Sequence, residues 1–455
     1  MVNRLKNFPH YKEVLIGAGS GLIVLTLLLG GLAFTPGSAE PTASESASPT
    51  PSASQAPLRT CSVSEEAANP SLGTLQAVVL NAETGEVLFD RGAEVPASTA
   101  SVMKSLTVAA ALESVGPTYQ VTTKVFVDPT NTAKLSLVGG GDITLSKTAT
   151  GAESIYKGAP KLSSLVAQVK AWATSNAITQ INEINLDSTL FPGSGWESSW
   201  QRSSQVDGWI SEVTALQLDG DRTIPDGLTS PKTGRPVMSA GEQFKLELGD
   251  LAANATFSQG STPTTFVEIA MVQSQPMSQW ISNILLTSEN LQTEALGKIA
   301  AIDAGSNGTF ESLDEAFKKI LAPTELDFSG VSVRDASGLS YLNSVTPKFM
   351  AELMRKVDAE YGELAVLKTS LPVAGKTGSL ASRYKGDIAD ATGNILAKTG
   401  YLEGVHTLNG IINAKDGTTL TFTIYALEDV GSDVRLAIDT LATAFYRCGN
   451  TLSND

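Results

Sequence analysis

Histidine and cysteine are almost missing from this 455-residue chain, which has two of each: His10 and His406, Cys61 and Cys448. A catalytic zinc held by two or three His, a haem with paired His ligands and a four-cysteine metal or iron–sulfur site are therefore excluded. Neither a metal nor a cofactor is expected. Positive charge is also scarce: 32 Lys and Arg stand against 47 Asp and Glu, a formal net charge of −15. Nucleic-acid binding relies on clustered Lys and Arg that release counterions, so no nucleic-acid partner is expected. Acid–base chemistry must then come from Lys, Asp, Glu or Tyr, or from the lone His406.

What is present is length and apolar content. With 42% hydrophobic residues, the chain is long enough for two or three globular units with accessory segments. Residues 1–14 carry Arg4, Lys6 and Lys12 against Glu13 and read as a cytoplasmic N-terminus. Residues 15–34 contain no charge, and at helical rise they match a hydrocarbon core of about 30 Å. They read as a transmembrane anchor, or as a signal segment cleaved near Gly37-Ser38-Ala39. Residues 35–60, rich in Ser, Pro, Ala and Thr, cannot bury enough apolar surface to offset chain entropy and read as a disordered linker. The remainder is expected outside the cytoplasm, membrane-anchored or secreted.

Folded sequence begins near Cys61. Strand-like runs at 75–80 and 86–89 flank Asn81-Ala82-Glu83-Thr84-Gly85, a hairpin signal. A mostly buried helix is predicted over 101–115, stopped by Gly116-Pro117. The stretch 121–275 turns to Thr, Ser and Gly with short strand-like pieces such as 181–186 and one helical pattern, at 161–172; it reads as an inserted, mainly β accessory domain. Helical pattern returns at 279–302, interrupted by Thr287-Ser288-Glu289-Asn290, and again at 346–361. A second hairpin is predicted from 405–413 and 419–426 around Asp416-Gly417, then a final amphipathic helix over 433–446. Strands at both ends with helices between them imply one α/β domain, 61–120 plus 276–455, whose sheet joins the two ends of the chain. Cys61 opens this unit and Cys448 ends its last helix. In an oxidising compartment they would pair, for about 2–4 kcal/mol; two free buried thiols is the alternative.

With histidine scarce, the nucleophile and base to seek is a Ser–Lys pair, in which a buried Lys can accept the hydroxyl proton. Ser-x-x-Lys occurs at Ser101/Lys104, Ser154/Lys157 and Ser382/Lys385. Only the first opens an apolar helix, where a Lys is otherwise an odd choice. Ser288-Glu289-Asn290 is the sole Ser-x-Asn and falls at a helix break. Lys-Thr-Gly starts at Lys232, Lys376 and Lys398; the third leads into the C-terminal hairpin, where Gly400 would let an edge strand approach a substrate. Asp335, Ser337 and Arg383 are candidates either for the cleft or for loop structure. His406 reads as a strand residue rather than a catalyst, and Trp196, Trp200 and Trp209 as core packing of the insertion in preference to a surface for stacking on sugar.

Ser-x-x-Lys, Ser-x-Asn and Lys-Thr-Gly in this order resemble the three-part signature of penicillin-recognising serine enzymes. Val95-Pro96-Ala97-Ser98, 139–145 (Gly-Gly-Gly-Asp-Ile-Thr-Leu), 335–340 and 371–375 extend the likeness, over about residues 75–430, to the class C low-molecular-mass penicillin-binding proteins. These form the D-alanyl-D-alanine carboxypeptidase/endopeptidase family. The resemblance implies a penicillin-recognising serine transferase fold, an antiparallel sheet flanked by helices. It also implies a serine DD-peptidase acting on peptidoglycan stem peptides through an acyl-serine and trapped by β-lactams. Ser101 would be the nucleophile, Lys104 its base and Ser288 a proton relay. Asn290, Lys398, Thr399, Gly400 and Tyr401 would bind substrate, with the N–H groups of Ser101 and Tyr401 as oxyanion hole. Two departures stand out. Ser98, not Ser101, directly follows Pro-Ala, so Ser98 or Thr99 is expected to cap the helix. Position 401 is Tyr where the family commonly has Ser or Thr, and Glu289 is expected to point away from the cleft. A peptidoglycan-binding scaffold with feeble catalysis, and a β-lactamase, are the competing readings; the long Ser101–Ser288 separation disfavours the latter.

Overall fold

The computed structural model describes residues 58–454. The readings of 1–14, 15–34 and most of 35–60 fall outside the described residues. No helix among the described residues is long and apolar enough to cross a membrane.

In chain order, the elements that position the site begin with β1 (Thr74–Asn81), β2 (Val87–Arg91), α1 (Met103–Ser114), β3 (Thr122–Asp128), β4 (Asn131–Val138), α2 (Leu162–Ser175) and β5 (Glu183–Asp187). They continue with α3 (Pro236–Leu248), β6 (Thr256–Gln259), β7 (Val267–Gln273), α4 (Met277–Thr287), α5 (Asn290–Asp303) and α6 (Leu313–Leu321). Last come α7 (Pro347–Asp358), β8 (Ile395–Leu402), β9 (Val405–Asn413), β10 (Thr419–Leu427) and α8 (Val434–Cys448).

The first sheet is antiparallel with order β2-β1-β10-β9-β8, so its centre pairs the two ends of the folded chain, Val78 opposite Thr423. Its faces follow the period of two. Ala77 and Val79 pack with Phe422, Ile424 and the apolar stripe of α8, where the Phe89 and Phe445 rings lie 5.2 Å apart. Val78 and Leu80 face the other way onto Ala351 of α7. Each such fully buried aliphatic or aromatic side chain contributes about 1.5–3 kcal/mol relative to exposure. Turn chemistry sets the hairpins: the Asn81 side chain accepts from the Glu83 and Thr84 N–H groups, and Gly417 supplies the left-handed residue (φ 88°) between β9 and β10. Helix α1 is buried from Met103 to Leu112, as expected of a helix apolar all round, and packs on α5 and α6.

The second sheet is drawn from residues between 122 and 273, in order β6-β5-β4-β3-β7. β3 pairs antiparallel with β4 and β7, whereas β4–β5 and β5–β6 are parallel. Parallel neighbours need a crossover connection, and α2 and α3 supply the two. Helix α3 is a second long helix in a stretch whose sequence showed one helical pattern, at 161–172. Pro236 sits at the first helical position, where its missing N–H costs nothing, so this proline starts a helix.

Cys61 and Cys448 form a disulfide, with Cα atoms 5.5 Å apart, across 387 positions of sequence. Replacing both by Ser is expected to lower the unfolding free energy by about 2–4 kcal/mol. Thermal denaturation of the folded region would show a lower Tm, matched in the wild type by added reductant.

Candidate active site

Three elements converge on a cavity of about 750 Å³ lined by Ser101, Ser288, Asn290, Thr399, Gly400 and Tyr401, within the range of ligand pockets. The first is the start of α1. A short turn, Ala100–Val102, precedes the helix, and Ala100 is left-handed (φ 44°). No side chain caps it, contrary to the expectation for Ser98 or Thr99. Thr99 has helical dihedrals, its hydroxyl donates to the Ala100 carbonyl, and Ser98 Oγ has no hydrogen-bond partner among the described residues. One turn on from Ser101, Lys104 Nζ lies 2.9 Å from Ser101 Oγ. The ammonium also donates to Asn290 Oδ1 at 2.8 Å and to the Ser337 carbonyl at 2.7 Å. Burial of Lys104 lowers its pKa from 10.5 to about 8, against the opposing pull of Asp335, Glu294 and Glu289.

The second element is the break between α4 and α5. Ser288 ends α4 in a left-handed conformation (φ 60°), and Glu289 caps α5 by accepting from the Gln292 N–H. This turn aims Ser288 and Asn290 into the cavity, while Glu289 points away from it and is buried against Arg222. Asn290 Nδ2 donates to the Trp209 carbonyl at 3.1 Å.

The third is the edge strand β8. Lys398 Nζ donates to Ser288 Oγ at 2.9 Å and to the Thr399 carbonyl at 2.7 Å. Burial, with Lys104 nearby, holds Lys398 well below the ordinary range for a lysine. Gly400 permits the close approach of β8 to α1: a Cβ there would collide with Thr407 Oγ1 and sit 3.0 Å from Ser101 N. Tyr401 is exposed, its ring 4.9 Å from that of His406. The eight residues expected at the site are thus brought together. The other two Lys-Thr-Gly copies are elsewhere: Lys232 is buried with its ammonium on the Gly220 carbonyl, and Lys376 is exposed in a loop.

Asp335 proves to be a loop residue, accepting from Trp200 Nε1, Asn343 Nδ2 and the N–H groups of Gly338 and Ser340. Ser337 offers its carbonyl to Lys104. Arg383 lines the cavity while paired with Asp439 at 2.6 Å. Trp209 is 55% exposed on the cavity wall, which corrects its reading as core, whereas Trp200 is buried. Residues missed in the sequence are Ser379, whose hydroxyl lies 2.8 Å from Thr399 Oγ1, and Glu294. Glu294 accepts from the Ala336 and Ser337 N–H groups at 3.0 and 2.8 Å, and so holds the peptide whose carbonyl binds Lys104. Burial beside Asp335 holds its carboxyl above the usual range. Ser379 follows the second Lys-Thr-Gly, the one signal in the sequence that could have drawn attention to it.

Two serines and two lysines poised in this way define a penicillin-recognising serine peptidase. The model of the D-Ala-D-Ala carboxypeptidase 3 (S13) family matches residues 60–259 and 233–445. Carboxypeptidase DacB of Mycolicibacterium smegmatis is 33% identical over 388 residues, 84% of this chain and 82% of that protein. A carboxypeptidase of Mycobacterium tuberculosis is 30% identical over 396 residues, 86% of this chain and 84% of that one. Penicillin binding protein 4 of Haemophilus influenzae shares the fold, with a TM-score of 0.69 at 17% identity over 82% of this chain and 95% of that one. The chain belongs to the S13 family of D-Ala-D-Ala carboxypeptidases. It is a serine DD-peptidase, and its folded part lies in the cell envelope outside the cytoplasm, where the Cys61–Cys448 disulfide is at home.

A Lys base works in its neutral form, so if Lys104 is that base, activity should follow its deprotonation near its pKa of about 8. The value of kcat/KM for a D-Ala-D-Ala substrate is expected to rise with pH through about 8 and then level off. A flat profile between pH 6 and 9 would count against Lys104 as the base.

Proposed function

We propose that Ser101 attacks the carbonyl of the penultimate D-Ala of a peptidoglycan stem peptide while Lys104 takes its proton. The single observation that carries this reading is the 2.9 Å contact between a fully buried Lys104 ammonium and Ser101 Oγ. The tetrahedral oxyanion would be held by the N–H groups of Ser101 and Tyr401, a pairing supported by the close approach that Gly400 allows. Collapse breaks the amide bond. The departing amine takes its proton from Lys104 by way of Ser288 and Lys398, and water then releases the acyl group from Ser101. Asn290 would hold the substrate amide, and Lys398 with Thr399 its terminal carboxylate. Ser379 beside Thr399 would supply the aliphatic hydroxyl that a Ser or Thr at position 401 would otherwise offer, which supports carboxypeptidase action alongside cleavage of D-centred cross-links.

β-Lactams would acylate the same serine. A structure of the Haemophilus influenzae protein, TM-score 0.65 and 17% identical, is a complex with a β-lactam. For the organisation of the chain, residues 61–120 and 276–455 would form the peptidase domain and 121–275 an inserted accessory domain that walls the cavity through 201–209. The uncharged run 15–34 would tether the protein to the membrane.

Incubation of the chain with a fluorescent penicillin is expected to label it stably, and Ser101→Ala to abolish the label; an unlabelled wild type, or a labelled Ser101→Ala, defeats this reading. Replacing Lys398 by Ala should slow labelling at least about 100-fold, as loss of a group acting in the transition state does. Lys376→Ala should leave it unchanged, and the reverse pattern would assign the site to the second Lys-Thr-Gly.

A further inference from the structure

One buried cluster beside the cavity has no part in the chemistry above. Glu289 Oε1 accepts from Arg222 Nη2 at 3.0 Å and from the Tyr156 hydroxyl at 3.2 Å, and Oε2 accepts from the Gln292 N–H at 2.5 Å. The two charged side chains are 3% and 4% exposed. Arg222 also donates to the Tyr156 hydroxyl at 2.7 Å and to the carbonyls of Gly227 and Asp219 at 3.3 and 3.4 Å. Its guanidinium is therefore fixed from several sides.

Strained backbone meets at both ends of this ion pair. Ser288, next to Glu289, has φ 60°, and Asp219, Gly220 and Asp221, just before Arg222, have φ 51°, 59° and 60°. Left-handed conformations at Ser and Asp are costly and persist where the surroundings over-determine them. Gly220 has no room for a side chain, because a Cβ would collide with the Tyr156 hydroxyl and the Arg222 guanidinium. Desolvation makes a buried ion pair a poor source of stability, and an apolar pair of similar volume often serves as well. What such a pair can supply is a single allowed geometry, and here the geometry in question is that of Ser288 and Asn290.

We propose that Arg222 is a positioning residue for the peptidase reaction: through Glu289 it holds Ser288 within reach of Lys398 and Asn290 within reach of Lys104. The inference rests on the roles assigned above to Ser101, Lys104, Ser288 and Lys398. It gives the segment between β5 and β6 a part in catalysis beyond walling the cavity. Tyr156, also bound to both charged groups, closes the cluster.

The test is saturation kinetics of fluorescent-penicillin labelling on the full chain, which separates the dissociation constant of the initial complex from the acylation rate constant. Arg222→Met is expected to lower the acylation rate constant about 10–100-fold, the scale of loss from small misplacements of reacting groups. The dissociation constant should stay within about twofold of wild type. The double variant Arg222→Met with Glu289→Gln removes the stranded buried carboxylate but keeps an acceptor for the Gln292 N–H. It should regain the melting temperature and not the rate, and it carries the test if Arg222→Met alone fails to fold. Arg222→Lys, which restores one charge, should recover part of the rate. An acylation rate constant within about twofold of wild type in Arg222→Met, or a double variant that regains both quantities, overturns the proposal. Ser101→Ala is measured alongside. If the wild type itself is not labelled at Ser101, the serine-acylation reading fails and this inference with it; if it is labelled and Arg222→Met is unaffected, only this inference fails.

Discussion

The site depends on one lysine ammonium taken out of water. Lowering Lys104 from 10.5 to about 8 corresponds to about 3 kcal/mol against its charged form, and the structure is arranged around that cost. Helix α1 carries no other charge between Met103 and Leu112, so nothing on the helix itself compensates. Compensation arrives from distant parts of the chain: a side-chain oxygen from α5 and a carbonyl from the loop at Ser337, itself clamped by Glu294. Desolvation outweighs the three acceptors around this ammonium, Ser101 Oγ, Asn290 Oδ1 and the Ser337 carbonyl, and leaves its proton easier to remove than that of an ordinary lysine.

Lys398 extends the same logic. It lies on an edge strand, against a serine whose backbone is left-handed, and it is disfavoured as an ammonium both by burial and by Lys104. Each lysine meets a serine hydroxyl, Lys104 that of Ser101 and Lys398 that of Ser288, so the cavity gathers acid–base groups without an imidazole. A near absence of histidine is thus compatible with acyl-transfer chemistry.

Much of this was legible in the sequence, for local reasons. Helix α1, the two hairpins and the break at Ser288 are marked by apolar periodicity interrupted by Gly, Pro and Asn. The signature Ser101/Lys104, Ser288/Asn290 and Lys398 needs only short spacing and order. The contexts of the three Lys-Thr-Gly copies also separate them, because only Lys398 runs on into a strand. What escaped depends on long-range geometry or on backbone atoms. The carbonyls of Ser337 and Trp209 carry no side-chain signal. Arg222 looks like any loop arginine until Glu289, in a different segment, is beside it. Helix α3 was hidden by Pro236, which signals a helix stop as readily as a helix start. The missing cap at Thr99 reflects the left-handed Ala100, which re-aims the turn and which no residue type there announces.

The pairing of β1 with β10 has a consequence for the order in which this molecule is assembled. Strand β1 leaves the ribosome early, but its central partner β10 is the last of the described strands to be made, and such non-local pairing is slow because loop closure must precede any gain from contact. The second sheet, whose strands all lie between 122 and 273, is complete long before that. Ser101 and Lys104 must therefore wait, in a nascent chain, for Lys398 to be synthesised. The reactive cluster comes into being only with closure of the first sheet, and an incomplete chain carries no assembled catalyst.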